Sequence, residues 1–248
     1  MTKIILYGAC GRMGKAMETL VSASDSYEIV ARIDKMANEP GVLRNPDDFG
    51  GEADVIVDFS HHLATKDLLN YAVHRGLPTV IATTGHTEEE EAMIANAAKN
   101  VPIFHSANMS LGVALLIELA VKTASVMPDA DIEIVETHHN RKLDAPSGTA
   151  LMIANAIKNV REKALIKLGR SGKAVREKDE IGIHAVRRGN VVGIHEVLVS
   201  TDCQTITLKH EAHSRALFAE GALSAVSFLR NQKPGLYDMN SIIDQKEG

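Results

Sequence analysis

The first fourteen residues join an apolar run to a glycine-rich turn, and this junction restricts the possible folds more than any other segment. Lys3-Ile-Ile-Leu-Tyr7 has the pattern of a short strand, and Gly8-Ala-Cys-Gly11-Arg-Met-Gly14 and a helical pattern follow it directly. Glycines at such a turn let the backbone approach a pyrophosphate seated on the helix N-terminus. Tight strand-to-helix turns also use glycine for steric reasons alone, so the loop is weak evidence without its surroundings.

A second strand pattern supports the interpretation of the glycine loop. Glu28-Ile-Val-Ala-Arg-Ile-Asp34 ends in an acid about twenty residues after the last glycine, where a carboxylate accepts the adenine ribose hydroxyls. The alternative is an acid that only caps the strand. We therefore predict a dinucleotide site that includes Gly8, Ala9, Cys10, Gly11, Arg12, Met13, Asp34 and Lys35.

Strand and helix patterns then alternate as far as residue 105. Apolar strand patterns cover 54–59, 78–82 and 101–105, with helical patterns near 63–75 and 88–99. Repeated βα units with apolar strands predict a Rossmann-type, doubly wound parallel sheet. In such a sheet the loops at the strand carboxyl ends line the ligand crevice. These loops are 58–60, 82–85 and 106–109.

The second half has a different pattern. An apolar helix from Ser110 leads into it, and strand-like segments at 181–187, 191–199 and 205–210 are separated by short polar turns without helices. This arrangement predicts an inserted α+β domain with a mixed or antiparallel sheet, within an α/β protein overall. The charged run 176–180 is predicted to be a loop with a solvated face.

Residues 136–150, hereafter the signature segment, hold most of the candidate chemistry. His138 and His139 stand where a strand pattern ends, Arg141 and Lys142 follow, and Ser147 is a plausible N-cap of the next helix. A helix N-terminus presents free N–H groups and a positive dipole end to an anion. The segment therefore combines proton donors with an anion site, as a small acidic substrate that needs protons would require.

Simpler interpretations of the same segment exist. The histidines could cap a strand, and the cations could form a solvated face. A zinc site is disfavoured because adjacent strand residues point to opposite faces and no Cys or His stands nearby at ligand spacing, so we expect no metal.

Charge and cysteine content exclude some classes of function. The formal net charge of -5 argues against nucleic acid as a partner, because phosphate neutralisation needs clustered basic residues. No stretch reaches the roughly eighteen apolar residues of a membrane span, so we expect no membrane partner. Cys10 and Cys203 form no disulfide framework, which fits a reducing cytoplasm.

The signature segment resembles that of a known family. His138-His-x-x-Lys142-x-Asp-Ala-Pro-Ser147-Gly-Thr-Ala150 is similar throughout to the motif of the dihydrodipicolinate reductase family. The resemblance implies that His138 and Lys142 are catalytic proton donors. It implies a cyclic dicarboxylate substrate, for which the candidate binding residues are His139, Ser147, Gly148, Thr149 and Arg215. A salt bridge at the domain joint is the alternative role for Arg215.

The resemblance also covers the nicotinamide side of the cofactor site. The family segments Gly-Thr-Thr-Gly and Ala-x-Asn-Phe/Met-Ser are similar to two loops here, although Ala82 and Ser106 replace the first residue of each. A further departure is Arg188, where the family usually has glycine. The implied cofactor contacts are Ala82, Thr83, Thr84, Ser106, Ala107, Asn108 and Met109.

The family resemblance implies a domain division and an activity. It implies a dinucleotide-binding domain of residues 1–108 and 215–248, and a substrate-binding and oligomerisation domain of residues 109–214, with assembly as a homotetramer. The implied activity is NADH- or NADPH-dependent reduction of the dihydrodipicolinate precursor in diaminopimelate and lysine biosynthesis. Another two-domain NAD(P)-dependent dehydrogenase and a nucleotide-sensing Rossmann protein without turnover remain as alternatives.

Overall fold

The computed structural model describes residues 1–247, and the chain forms two compact units. Unit 1 contains Met1–Ser110 and the described residues from Ala216 onward, and unit 2 contains Leu111–Arg215. The elements in chain order are β1 (Thr2–Tyr7), α1 (Arg12–Ser22), β2 (Tyr27–Ile33), β3 (Val55–Asp58), α2 (Thr65–Arg75), β4 (Thr79–Ile81), α3 (Glu88–Ala97), β5 (Pro102–His105), α4 (Leu111–Val126), β6 (Asp131–His138), α5 (Gly148–Val160), β7 (Leu165–Leu168), β8 (Glu180–Arg187), β9 (Gly193–Thr201), β10 (Gln204–Ala212), α6 (Ala216–Leu229), β11 (Gly235–Tyr237) and α7 (Met239–Glu247).

Unit 1 is built on a parallel sheet of six strands in the order β11-β5-β4-β3-β1-β2. Every strand pairing in it is parallel, which confirms the predicted Rossmann-type fold. The strands carry fully buried aliphatic side chains, because helices cover the faces of such a sheet. All strand carboxyl ends lie at one edge, which brings the loops after β1, β3, β4 and β5 to the same side.

Unit 2 is built on a mixed sheet of five strands in the order β10-β9-β6-β8-β7. β6 pairs antiparallel with β9 and parallel with β8, which confirms the predicted mixed sheet. One face of this sheet packs on α4 and α5 through a core that includes Ile132, Ile134, Ile153, Val197 and Val199. The opposite face carries Val135, Leu198 and several polar side chains, and these are only partly buried.

Two strands and one ion-pair cluster differ from the sequence-based expectation. The short strands β7 and β11 were not predicted. Both are partly or largely exposed and lack the continuous buried apolar run that reveals the equally short strands β3, β4 and β5. The expectation that the run 176–180 is a loop with a solvated face is wrong at its two ends. Glu180 is the first residue of β8, and its side chain is 10% exposed and pairs with Arg170 at 2.6 Å. Arg176 is 17% exposed and binds Asp131 Oδ1 at 2.7 Å and Glu133 Oε1 at 3.0 Å.

No helix among residues 1–247 has the length and apolar content needed to cross a membrane.

Candidate active site

The glycine loop after β1 is shaped by close backbone contacts. Gly8 has a positive φ of 71°, and a Cβ there would lie 2.5 Å from the carbonyl oxygen of Phe59. A Cβ on Gly14 would lie 2.3 Å from the carbonyl oxygen of Gly8, so only glycine lets α1 pack on the loop. This is the packing that a dinucleotide-binding loop needs between its strand and its helix.

The N-terminus of α1 is open to an anion. Its N-cap is Gly11, which supplies no side-chain cap, and the first turn holds no acidic residue. The contrasting case is α3, whose N-terminus is closed by a capping box between Thr87 and Glu90 and carries four glutamates in its first turn. Free N–H groups and the helix dipole therefore favour a phosphate at α1, whereas the capping box and the negative charge of the glutamates disfavour one at α3.

Asp34 lies directly after β2 and faces the glycine loop. Its Oδ2 accepts the backbone N–H of Cys10 at 3.1 Å, and its Oδ1 accepts that of Met36 at 3.0 Å. Lys35 pairs with Asp67 at 2.6 Å, and both side chains are more than half exposed. A pocket of about 490 Å³ brings Gly8, Gly11, Asp34 and Lys35 together with Phe59 and Ser60.

The remaining predicted cofactor residues lie further along the same edge of the sheet. Ala82 donates its N–H to the carbonyl oxygen of Asp58 at 2.9 Å, so the loop after β4 is tied to the end of β3. Thr83 is buried and Thr84 is exposed. In the loop after β5, Ser106 Oγ donates to the Asn108 carbonyl oxygen at 2.8 Å, Ala107 is exposed, and Met109 is only 3% exposed. Burial leaves the Met109 side chain little surface to offer a ligand.

A group of possible metal ligands also lies in unit 1. Within residues 1–247, His86, Glu91 and His105 place one ligand atom each within 4.8 Å of the others. His105 Nε2 is 3.1 Å from Glu91 Oε1, whereas His86 Nδ1 is 4.0 Å from it. Two ligands of a tetrahedral zinc ion lie about 3.3 Å apart, given metal–ligand bonds of about 2 Å. The group is therefore better described as a His–Glu pair with a neighbouring imidazole.

In unit 2 the signature segment is organised by a carboxylate two residues before the first histidine. Glu136 is fully buried, and its Oε2 lies 2.6 Å from His138 Nδ1. Arg187 at the end of β8 donates to both oxygens at 2.7 Å, and the backbone N–H of Ser147 donates to Oε1 at 2.9 Å. Burial pushes the pKa of Glu136 upward, but hydrogen bonds from Arg187, His138 and Ser147 outweigh it and hold that pKa below its ordinary value.

A second histidine packs against His138. The rings of His138 and His195 meet edge to face, with centroids 5.2 Å apart. His195 Nε2 lies 3.1 Å from Ser147 Oγ, which also accepts the N–H of Ala150 as the N-cap of α5. Burial, and then the charge of His138, lowers the pKa of His195 to about 4, so this imidazole is neutral at physiological pH.

His139 and Arg215 meet in the same unit. Arg215 Nη2 is 3.3 Å from His139 Nε2, and His139 Nδ1 has no hydrogen-bond partner among the described residues. Burial lowers the pKa of His139, and the charges of Arg141 and Arg215 lower it further. Since Nε2 accepts from arginine, the proton of this neutral ring lies on Nδ1, which is buried.

The other residues of the signature segment lie around these histidines. Lys142 Nζ pairs with Asp144 Oδ1 at 2.8 Å and keeps 22% of its side chain exposed. Gly148 is exposed at the first position of α5, and a Cβ there would meet nothing within 4 Å. Thr149 follows it in the first turn and is half-buried. The predicted substrate residues thus all lie in unit 2, and the predicted cofactor residues all lie in unit 1.

Three residues of this site had no role assigned from the sequence. Glu136 lies within the signature segment, whereas Arg187 and His195 lie in the later strand patterns, and the sequence predicts none of their contacts. One signal was present for Glu136, because residues two apart in a strand share a face, which places it beside His138. Arg187 is 51 residues from Glu136, and no local pattern reports such a pairing.

The fold and the two sites define a class of protein. An open helix N-terminus behind a glycine loop in one unit, and a buried His–Glu pair beside the start of a helix in the other, are features typical of a pyridine-nucleotide-dependent oxidoreductase.

The family follows from comparison with known proteins. Residues 2–109 match the family model described as the N-terminus of dihydrodipicolinate reductase, and residues 112–243 match that of its C-terminus. The chain belongs to the dihydrodipicolinate reductase family, which confirms the resemblance found in the signature segment.

Individual relatives agree over nearly the whole length. A 4-hydroxy-tetrahydrodipicolinate reductase of Caldanaerobacter subterraneus is 47% identical, covering 98% of each chain, and one of Clostridium novyi is 43% identical, covering 99% of this chain and 100% of its own. Among solved structures, dipicolinate-bound dihydrodipicolinate reductase from Paenisporosarcina sp. TG-14 matches with a TM-score of 0.82 at 24% identity. This match covers 97% of this chain and 99% of that one, and it shows the shared fold.

Proposed function

We propose that this chain reduces the dihydrodipicolinate precursor to tetrahydrodipicolinate with NADH or NADPH, in the diaminopimelate branch of lysine biosynthesis. The observation that carries the proposal is the Glu136–His138 pair beside the N-terminus of α5, because it joins a positioned proton donor to an anion site. Near-full-length relatives named as this reductase support the choice of substrate.

The residues of unit 1 fit a dinucleotide cofactor. Gly8 and Gly14 keep the loop free of Cβ atoms that would collide with backbone, and the uncapped N-terminus of α1 offers N–H groups to a pyrophosphate. Asp34 holds the loop and keeps acceptor capacity for ribose hydroxyls. The bound cofactor supplies the hydride. The loops that contain Ala82–Thr84 and Ser106–Met109 are assigned to its nicotinamide side.

The residues of unit 2 supply the proton and the anion contacts. Hydride addition to the conjugated ring leaves an electron-rich enamine, which must take up a proton. His138 delivers this proton from Nε2, directly or through water, since its Nδ1 is engaged by Glu136. Lys142 is the second proton donor and pairs with a substrate carboxylate. His139, Ser147, Gly148, Thr149 and Arg215 hold the carboxylates through N–H donors, charge and the start of α5.

The two cofactors are proposed to work with similar affinities. A carboxylate at Asp34 favours ribose hydroxyls and repels a 2′-phosphate, whereas Lys35 and Arg12 can neutralise that phosphate. The exposed pair of Lys35 with Asp67 costs little to break. We expect the dissociation constants of NADH and NADPH to lie within about two orders of magnitude, or roughly 3 kcal/mol. Titration of both cofactors checks this, and a cofactor without activity at millimolar concentration would contradict it.

Assembly and location complete the proposal. The partly buried second face of the unit 2 sheet, with Val135 and Leu198, supports a homotetramer formed through this sheet. Light scattering that gives the monomer mass of 26.8 kDa at micromolar protein would reject it. The free thiols Cys10 and Cys203 suit the reducing cytoplasm.

The decisive experiment is a turnover assay. The purified protein is mixed with NADPH and the dihydrodipicolinate precursor, freshly made from its biosynthetic enzyme, and the loss of reduced-nicotinamide absorbance is followed. The proposal predicts sustained turnover that requires both compounds. Cofactor binding without turnover would favour a nucleotide sensor, and turnover with a different amino or keto acid would favour another two-domain dehydrogenase.

A further inference from the structure

The carboxylate of Glu136 faces hydrogen-bond donors on both of its oxygens. Oε1 accepts from the Ser147 backbone and from Arg187, and Oε2 accepts from Arg187 and lies 2.6 Å from His138 Nδ1. A carboxylate offers about four lone-pair positions, so these four contacts fill it. His138 Nδ1 is the one of the four that can also accept a proton, and imidazole is the stronger base. The shared proton therefore belongs to Nδ1, and Glu136 is ionised.

This arrangement decides which nitrogen of His138 exchanges its proton. With Nδ1 permanently a donor to Glu136, the proton that is gained and lost lies on Nε2. Gly193 at the start of β9 lies beside that atom, and a Cβ there would be only 3.1 Å from Nε2. The ring is also held edge to face by His195, which Ser147 contacts in turn. The imidazole is thus fixed in tautomer and in direction.

We propose that Glu136, clamped by the two-pronged hydrogen bond from Arg187, is the positioning residue that sets His138 to deliver its proton from Nε2. This inference deepens the proposed reduction and rests on it. Glu136 and Arg187 act through His138 rather than on the substrate. Glu136 also places a negative charge 2.6 Å from Nδ1, beside the imidazole that carries the proton.

The other charged and titratable groups around His138 cannot replace Glu136 as an anionic partner. Arg187 reaches it from β8, His195 from β9, and His139 and Lys142 from the signature segment itself, and these are cationic or neutral. Asp144, the nearest other carboxylate of the segment, is paired with Lys142. Loss of the negative charge at Glu136 should therefore make His138 give up its proton at lower pH.

The test compares pH profiles of kcat for the wild type and Glu136→Gln. For a general acid, kcat falls as pH rises through the range in which the acid loses its proton. We expect Glu136→Gln to lower kcat by about 10²-fold or more, as removal of the orienting carboxylate does in catalytic triads. The falling limb should move to lower pH, because the imidazolium loses its anionic partner. The KM for NADPH should stay within about twofold.

A matched pair of arginine variants keeps the inference testable if Glu136→Gln does not fold. Arg187 and Arg176 are 19% and 17% exposed and each binds glutamate on β6, Arg187 at the end of the strand and Arg176 near its start. Lysine keeps the charge but loses the planar fork. Arg187→Lys should lower kcat about tenfold and move the falling limb, while Arg176→Lys leaves both within about twofold. Equal effects of the two variants would overturn the inference, as would a Glu136→Gln profile with the falling limb of the wild type.

A substrate-free measurement separates this inference from the proposed reaction. Nitrogen NMR of ¹⁵N-histidine-labelled protein reports the ring tautomer, and His138 is identified by the signal that His138→Gln removes. We expect one tautomer, protonated at Nδ1, in the wild type at high pH, and a mixture with a lower titration midpoint in Glu136→Gln. An Nε2-protonated wild-type ring would refute the positioning role even if turnover is observed. The expected spectra without turnover would refute the reaction alone.

Discussion

The two units build their sites from different parts of the chain. In unit 1 the cradle is backbone, made from glycines that cannot carry a Cβ and from a helix N-terminus without a side-chain cap. In unit 2 the site is made of side chains. A buried carboxylate holds His138 beside a helix whose N-terminus is capped by Ser147. A backbone cradle binds a constant group such as a pyrophosphate, whereas fixed ionisable side chains can move protons. The comparison predicts that substitutions in the two units have different effects on catalysis, cofactor binding and stability.

The largest expected effect is on the proton donor. His138→Ala should lower kcat by about 10²- to 10⁴-fold, the range for loss of a positioned acid. The matched control is His184→Ala on β8, whose Nε2 contacts Glu133 at 2.8 Å in a similar His–Glu pair. Steady-state kinetics should show the control near the wild type. A near wild-type kcat for His138→Ala would remove His138 from the mechanism.

The next effect tests the backbone cradle. Gly14→Ala introduces a Cβ 2.3 Å from the Gly8 carbonyl oxygen, and neither backbone segment can move away cheaply. We expect the free energy of unfolding to fall by about 3 kcal/mol, at the upper end of typical overpacking costs. Gly11→Ala is the control, because its Cβ would be 3.2 Å from the same atom and only a small adjustment is needed. Denaturant unfolding of both variants checks the difference, and equal stabilities would show that the loop tolerates a side chain.

The third effect is a pH dependence of the free energy of unfolding that comes from unit 2. His195 in unit 2 has its pKa lowered by burial from 6.5 to about 4. Between these values the unfolded chain binds a proton that the folded protein does not, so stability rises with pH. This contribution is complete above about pH 6.5 and falls by about 3 kcal/mol as pH drops to 4. His195→Gln should lose this part of the pH dependence in unfolding measurements, and an unchanged dependence would contradict the burial argument.

The smallest effect concerns Lys142, the proposed partner of a substrate carboxylate. Lys142→Ala should lower kcat and raise the substrate KM, each about tenfold, because it removes a proton donor and a charge-assisted contact together. Lys178 forms an ion pair with Asp129 at 2.8 Å, the same length as Lys142–Asp144, but both side chains of that pair are more than 70% exposed. Lys178→Ala is therefore the control, and steady-state kinetics should show no change in it. If both lysine variants behave alike, Lys142 is only a surface cation.

The same division between backbone and side chain explains what the sequence predicts. Glycine spacing, strand patterns and the N-cap at Ser147 are local, so the parallel sheet and the start of α5 follow from short windows. Contacts between distant positions do not follow from short windows of sequence. Arg187 reaches Glu136 across 51 residues, and Arg176 reaches Glu133 across 43, which turned a predicted solvated residue into a largely buried one. The chemistry of unit 2 depends on such pairings, and only the fold reveals them.

The most direct test of the division of labour measures two quantities in two variants, the NADH dissociation constant and the single-turnover rate at saturating NADH. Asp34→Ala should weaken NADH binding about tenfold and keep the saturated rate within about threefold. His138→Ala should keep the dissociation constant within about twofold and lose the rate by about 10²-fold or more. A His138→Ala variant whose cofactor affinity weakens in proportion to its rate would contradict the account, because proton donation and cofactor binding would then not be separate tasks of the two units.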